Sequence, residues 1–374
     1  MTNPCVVVDR PATLRGATAA KDVIPANIQM NDVQAAFAAV NVQGVRQYYE
    51  CSDPPTQLTG LPESHFKGVA AFGDKLIFSH TNLDPIFPAT NGRYLIGNVI
   101  TAGDQGTIDV DEYTQHAGWC HPCGMQACGS FMAMGIQPSA SGSGARVSQI
   151  QIFDIRNANS DHPIVLLGAI DRPHDGINGV AMTKEAGDNG RYIVAGVNGN
   201  TLTVYRSVDS SLLAPSCVKF VEIFQDTHFP DSGAGLALIT QADGSLFLVS
   251  MNANDDGSNS LIGLYRLDCN ILPPFCFPIA QKAMPIPGMS ESVTLIQDYV
   301  VTLPGIGPVL SGLLKPLDKL LNSSFRWGKG LAVTSADTLK IYATDRNVLP
   351  VSKIAAIGSV KDFSVVVWTN DPLA

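Results

Sequence analysis

The feature that most constrains how this chain can fold is a short phrase that recurs six times: a small residue, an apolar pair, a brief turn and a second apolar run. The copies are Gly68-Val-Ala-Ala…Leu76-Ile-Phe, Gly124-Met-Gln-Ala…Phe131-Met-Ala-Met, Gly179-Val-Ala-Met…Tyr192-Ile-Val-Ala, Gly235-Leu-Ala-Leu…Leu246-Phe-Leu-Val, Ser292-Val-Thr-Leu…Tyr299-Val-Val-Thr and Gly330-Leu-Ala-Val…Leu339-Lys-Ile-Tyr. Their starts lie 56, 55, 56, 57 and 38 residues apart. A near-constant period in this range marks a chain built by repeating one supersecondary unit.

Each copy reads as a β-hairpin, because two runs rich in Val, Leu, Ile, Phe and Tyr are joined by turn residues such as Gly73-Asp74, Asp188-Asn189-Gly190 and Asp243-Gly244. A third strand follows at Gln149-Ile-Gln-Ile-Phe-Asp-Ile, Thr201-Leu-Thr-Val-Tyr-Arg and Leu261-Ile-Gly-Leu-Tyr-Arg, and a fourth at Ile164-Val-Leu-Leu-Gly-Ala-Ile and Val218-Lys-Phe-Val-Glu-Ile-Phe. Radial repetition of such sheets gives an all-β, six-bladed β-propeller of four-stranded antiparallel blades. The small residue that opens each copy fits that arrangement, since the innermost strands crowd the axis and only a small side chain allows the approach.

The ends of the chain fit a ring that must be closed. The stretch from Gly330 to the end has 45 residues and the one from Ser292 to Gly330 has 38, both short of the earlier units, so outer strands are expected from the N-terminal segment. The available apolar runs there are Cys5-Val-Val-Val and Val45-Arg-Gln-Tyr-Tyr. Two short helical insertions are predicted, one after Asn31 as cap and one over Leu313–Leu321 with Lys315, Asp318 and Lys319 on its polar side. Residues 1–374 are expected to form one domain, with 1–60 as N-terminal closure and helix and 304–325 as an insertion.

A charged fraction of 15%, an apolar fraction of 45%, 34 Gly and 24 Pro suit a large all-β protein full of turns. A net charge of −9 without a run of Lys and Arg disfavours nucleic acid and anionic lipid as partners. A small-molecule ligand is the expected partner, and nothing in the sequence sets an oligomeric state. No apolar stretch approaches the roughly 20 residues of a membrane span, and Met1-Thr-Asn-Pro-Cys does not open a signal peptide, so a soluble chain is expected. Eight cysteines leave the redox compartment open: Cys269 and Cys276 flank a loop they could close, Cys5 with Cys51 and Cys217 with either neighbour are looser pairings, and reduced, partly buried thiols are the alternative.

The repeat alignment gathers the polar side chains. His65 and His121 lie three residues before their glycines and His174 five before its own, all where the chain starts an innermost strand. Glu291, Arg326 and Trp327 hold related positions, as do Asp175 and Asp231. Second-strand ends, which emerge on the same face, add His80, Gln137, Asn198, Asn252 and Asp345 with Arg346. Imidazoles, amides and carboxylates around one mouth can do acid–base work or ligate a divalent metal. The candidate catalytic residues are therefore His65, His121, His174, Glu291 and Arg326, with the three histidines doubling as candidate metal ligands. The candidate substrate-binding residues are His80, Gln137, Asn198, Asn252, Trp327 and Asp345.

Other motifs carry less. In His116-Ala-Gly-Trp-Cys120-His121-Pro-Cys123…Cys128, the last two cysteines fall at opposite ends of one strand, so one ion cannot join them. The loop Ser139–Gly144 lacks the strand-to-helix setting of a phosphate cradle, and no serine lies in a nucleophile elbow.

The pattern resembles six-bladed β-propellers in general, a group holding lactonases, strictosidine-synthase-like lyases, quinoprotein dehydrogenases and interaction modules. No tryptophan-aspartate repeat, Tyr-Trp-Thr-Asp phrase or aspartate-box series occurs, so no family follows. Two functions are carried forward. One is an enzyme acting on a small organic molecule in an axial pocket, as hydrolase, lyase, isomerase or metal-dependent oxygenase. The other is a noncatalytic ligand- or protein-binding propeller, lectin-like or an interaction scaffold. Dissimilar residues from different repeats favour the single asymmetric pocket of the first.

Overall fold

The computed structural model describes residues 28–51, 65–81, 92–100, 105–113, 119–138, 147–158, 164–213, 218–230, 235–269, 274–301, 322–349 and 361–371. Helix α1 (Val33–Ala39) opens this part, turning Val33, Ala36 and Phe37 inward. Its cap is Asp32 and not Asn31: the Asp32 carboxylate accepts from the Ala35 amide, while Asn31 donates to Asp337. The N-terminal run at Cys5 and the helix expected at Leu313–Leu321 lie outside the described residues.

Twenty strands follow among the described residues. Strand β1 (Val45–Cys51) comes first. A first sheet then runs β2 (His65–Phe72), β3 (Lys75–Thr81), β4 (Arg93–Asn98) and β5 (Gly106–Tyr113). A second runs β6 (His121–Cys128), β7 (Phe131–Gln137), β8 (Ser148–Asp154) and β9 (Val165–Arg172), and a third β10 (Gly179–Lys184), β11 (Tyr192–Asn198), β12 (Thr201–Ser207) and β13 (Phe220–Asp226). A fourth comprises β14 (Gly235–Thr240), β15 (Leu246–Asn252), β16 (Leu261–Asp268) and β17 (Phe275–Ala283). Strands β18 (Lys329–Val333), β19 (Leu339–Thr344) and β20 (Phe363–Thr369) make a fifth, whose outer strand is β1, antiparallel to β20 with Val45 opposite Val367.

Each first strand lies beside the next: β2 by β6, β6 by β10, β10 by β14, β14 by β18, and β18 back beside β2. The fifth and first sheets also bridge at their edges, β18 to β2 and β1 to β5, both parallel. The sheets thus form a propeller-like ring. Among the described residues the ring holds five four-stranded units rather than six. The copy starting at Ser292 folds instead as helix α2 (Glu291–Val301), with Ser292 and Val293 buried. Its β-branched run favours a strand locally, but packing overrides so weak a preference.

The core follows from this geometry. Strands alternate faces, so each sheet has two apolar faces, and five separate clusters fill the five gaps. Ile77 meets Met132, Phe131 meets Val194, Ala195 meets Leu236, Phe247 meets Ile341, and Phe363 meets Phe78 across successive gaps. Helix α1 closes the fourth gap from outside through Phe37. The small residues opening the repeats work as close-approach positions. A Cβ on Gly330 would sit 1.8 Å from the Val69 carbonyl oxygen, and one on Gly68 2.9 Å from the Met125 amide nitrogen.

First strands of neighbouring sheets leave backbone groups unpaired at the hub, and buried ones need partners. Gln126 of β6 supplies them. Its carboxamide oxygen accepts from the amides of Met182 (2.9 Å) and Leu238 (2.8 Å), and its nitrogen donates to the Leu238 carbonyl at 3.0 Å. One buried side chain ties β6, β10 and β14 together.

Candidate functional site

The starts of the first strands and the ends of the second strands share one face, because they pair across each hairpin: His65 with Thr81, His121 with Gln137, Gly179 with Val197, Gly235 with Met251 and Lys329 with Ala343. Two of the first strands bulge there. The β2 register slips between Phe66 and Gly68, leaving Lys67 outside the ladder, and the β6 register slips between Pro122 and Met125 around Cys123. A bulge re-aims the side chain it frees.

Side chains from three sheets meet at this rim. The imidazoles of His65 and His121 pack edge to face, 5.7 Å between centroids, and His65 packs likewise on the Trp327 ring at 5.6 Å. Two guanidinium groups lie over that indole, with Arg326 Cζ at 4.9 Å and Arg346 Cζ at 4.8 Å from its centroid. Trp327 is 4% exposed, yet its Nε1–H has no hydrogen-bond partner. Lys329 is buried, its stem crossing the first strand of the fourth sheet at Gly235.

Electrostatics set the protonation states. Burial, and then the Lys67 charge, push His121 down to about 3, so its ring is neutral at ordinary pH. Burial pushes the Cys123 thiol up to about 12 against the pull of Lys67 and Lys329, which makes it a poor nucleophile. Burial lowers Lys67 as well, opposed by Cys123 and helped by Arg326.

A second group adjoins this one through the pairing of His121 with Gln137. Asn198 donates to the Asp175 carboxylate at 2.6 Å, and Arg172 forms an ion pair with the same carboxylate. Gly176 lets Gln137 and Asn198 converge: a Cβ there would lie 3.2 Å from Asn198 Oδ1 and 3.3 Å from Gln137 Oε1.

Several expected members stand elsewhere. His174 is exposed on the turn between β9 and β10, and among the described residues no three His, Cys, Asp or Glu side chains are grouped to hold a metal ion. His80 is 2% exposed; its Nε2 lies 2.7 Å from Asn347 Oδ1 and its ring packs on Phe66, so it belongs to the core. Asp345 is fully buried as a structural hub, accepting from Ser290 Oγ, Ser323 Oγ, Ser364 Oγ and the Ser364 amide, with Arg46 at 3.4 Å. Glu291 pairs with Lys361 and receives no contact from the rim; its amide donates to the Tyr48 hydroxyl on the outermost strand of the fifth sheet. Asn252, at the end of β15, accepts from the Ala253 amide. Asp231 lies outside the described residues. Cys269 and Cys276 are free thiols, so the expected closure of the Cys269–Cys276 loop is not formed.

No family model matches the sequence, and no curated protein matches it either. Solved structures of similar shape include the catalytic domain of a GH62 alpha-L-arabinofuranosidase from Coprinopsis cinerea. It is 11% identical, covers 87% of this chain and 98% of its own, and has a TM-score of 0.42. An alpha-L-arabinofuranosidase from Fusarium graminearum, solved with an iminosugar inhibitor, is 11% identical over 88% of this chain and 98% of its own, at a TM-score of 0.45. A glycosyl hydrolase from Bacteroides ovatus is 10% identical over 94% and 98%, at 0.40. Likenesses this distant assign no chemistry to the rim, which stands on its own residues.

The rim therefore keeps His65, His121, Arg326 and Trp327 from the expected set, with Gln137 and Asn198 beside them. Lys67 and Lys329 are additions. Lys67 shares its strand face with His65 by period two, the one signal that points to it. Lys329 directly precedes the glycine of its repeat. Together these groups can bind a polar molecule and offer it one neutral imidazole.

Proposed function

We propose that this protein is an enzyme that binds a small organic molecule at the rim of the ring and moves a proton on it through His65. The observation that carries this is that His65 is in ring contact with both His121, from the first strand of the second sheet, and Trp327, from the bend that leads into the fifth. His65 is half-buried at the first turn of its strand, and the neutral His121 beside it orients a hydroxyl or carbonyl by hydrogen bonding. Gln137 and Asn198 supply amides for the same molecule, and the buried Trp327 ring backs His65 edge to face. The proposal takes residues 1–374 as one ring, with 1–60 as its closure and 304–325 as an insertion.

Thermal-shift screening of a panel of small metabolites, followed by mass spectrometry of each stabilising compound for turnover, tests this. A ligand whose stabilisation disappears in Trp327→Ala, and whose conversion disappears in His65→Gln while binding remains, is the expected result. Ligands that stabilise both variants as well as the parent chain would place binding elsewhere and overturn the proposal. Binding without any conversion favours a noncatalytic receptor, a second reading that the depressed His121 supports, since that imidazole takes up no proton near neutral pH.

A further inference from the structure

On a chain whose net charge is −9, the rim is cationic. Lys67 comes from β2; Arg326, Lys329 and Arg346 come from the fifth sheet and the loops at its ends. Arg326 lies over the Trp327 ring, 4.9 Å from its centroid, and His65 packs against the same ring. Lys67 stands within electrostatic reach of Arg326, and two like charges so placed are relieved by an anion between or beside them.

Among the described carboxylates, little balances Lys67 and Arg326. Asp255 reaches Arg326 at 3.3 Å, but it stands fully in solvent, where an ion pair contributes little. Asp175 is already engaged by Arg172 and Asn198. Lys67, half-buried and freed by its bulge, makes no hydrogen bond or ion pair among the described residues. A polar group taken out of water without a partner is costly, so its position asks for a ligand that accepts hydrogen bonds. The Trp327 Nε1–H, also buried and unpartnered, is a second donor, on the ring that lies beside Arg326 and His65. Planar guanidinium groups suit carboxylate and phosphate oxygens, which take paired N–H bonds.

We propose that the molecule bound at this rim is an organic anion, its carboxylate or phosphate held by Arg326 and Lys67 with the Trp327 indole N–H as a further donor. This rests on the reading of the rim as a ligand site, and names the class of ligand that site takes.

Calorimetric titration with D-glucuronate, D-glucose and inorganic phosphate separates the two. Glucuronate and glucose share a ring and differ in the carboxylate; phosphate carries the charge without the ring. Glucuronate, phosphate or both should bind, weaken as salt rises, and exceed glucose by about tenfold or more, the worth of one charge-assisted hydrogen bond. Lys67→Met and Arg326→Gln should each lower anion affinity about tenfold while leaving near-ultraviolet circular dichroism unchanged. Glucose binding as tightly as glucuronate, with loss in Trp327→Ala, would keep the rim as the ligand site and overturn its anion preference. Absence of binding by both anions, or anion binding indifferent to both charge variants, would overturn the inference as well.

Discussion

Replacing His80 by leucine isolates one source of acid sensitivity. The His80 Nε2–H donates to Asn347 Oδ1 at 2.7 Å, which leaves Nδ1 as the unprotonated nitrogen, and that atom is buried without a partner against the Phe66 ring. A second proton would place a charge there, so burial lowers the group from 6.5 to about 4, with the nearby Arg93 adding to the effect. In the unfolded chain the same imidazole takes up its proton near 6.5. Between those values the unfolded state binds more protons than the folded one, so stability is lost as pH falls. From about pH 7 to about pH 5 the linkage amounts to about 2 kcal/mol, a large share of a typical stability of ~5–15 kcal/mol. His80→Leu removes the titrating group and keeps an apolar side chain facing Phe66, while Asn347 Oδ1 retains its bond from the Val348 amide at 2.8 Å. Urea titrations of both proteins at the two pH values give the answer. The parent chain should lose about 2 kcal/mol more than the variant on acidification. Parallel losses would refute the assignment of Nδ1 as a buried, unbonded site.

Two further perturbations follow from hydrogen-bond accounting. Gln126→Ala strips the Met182 and Leu238 amides and the Leu238 carbonyl of their partner at the hub, and at ~1–3 kcal/mol per buried unsatisfied group should cost about 3 kcal/mol or more in urea unfolding. A loss under ~1 kcal/mol would mean that water replaces the side chain there. Arg46→Met leaves the Asp345 carboxylate without its counter-ion, which costs about 3–5 kcal/mol, and adding Asp345→Asn should restore part of the loss in a double-mutant cycle. Strict additivity of the two substitutions would show that the pair does not act as a unit.

The repeat spacing exposed the sheets because a strand and its turn leave a local imprint: Gly73 and Gly244, at φ 57° and 88°, sit in the hairpin turns where the sequence places them. The Ser292 copy shows where that imprint misleads. Its apolar run reads as a strand, and only its short distance to the next repeat hints at another role. At the rim, His65 and His121 were legible because both stand three residues before a repeat glycine; His174, five before its own, falls on the exposed turn. His80 was misplaced because counting strand ends gives height along the axis, whereas direction decides whether a side chain reaches the rim or the gap between sheets. The positive charge was hidden for a different reason. Lys67, Arg326, Lys329 and Arg346 are far apart in the sequence or interleaved with other residues, and only the ring and one bulge bring them together.

The union of β1 with β20 has a consequence for biosynthesis. Arg46 and Ser364, bonded to each other at 2.5 Å, are 318 residues apart along the chain. One edge of β1 can bridge β5 early, but the other stays open until β20 has left the ribosome. A chain cut short before β20 would therefore yield an open arc with raw strand edges, a species for chaperones and proteases rather than a smaller working version of the protein.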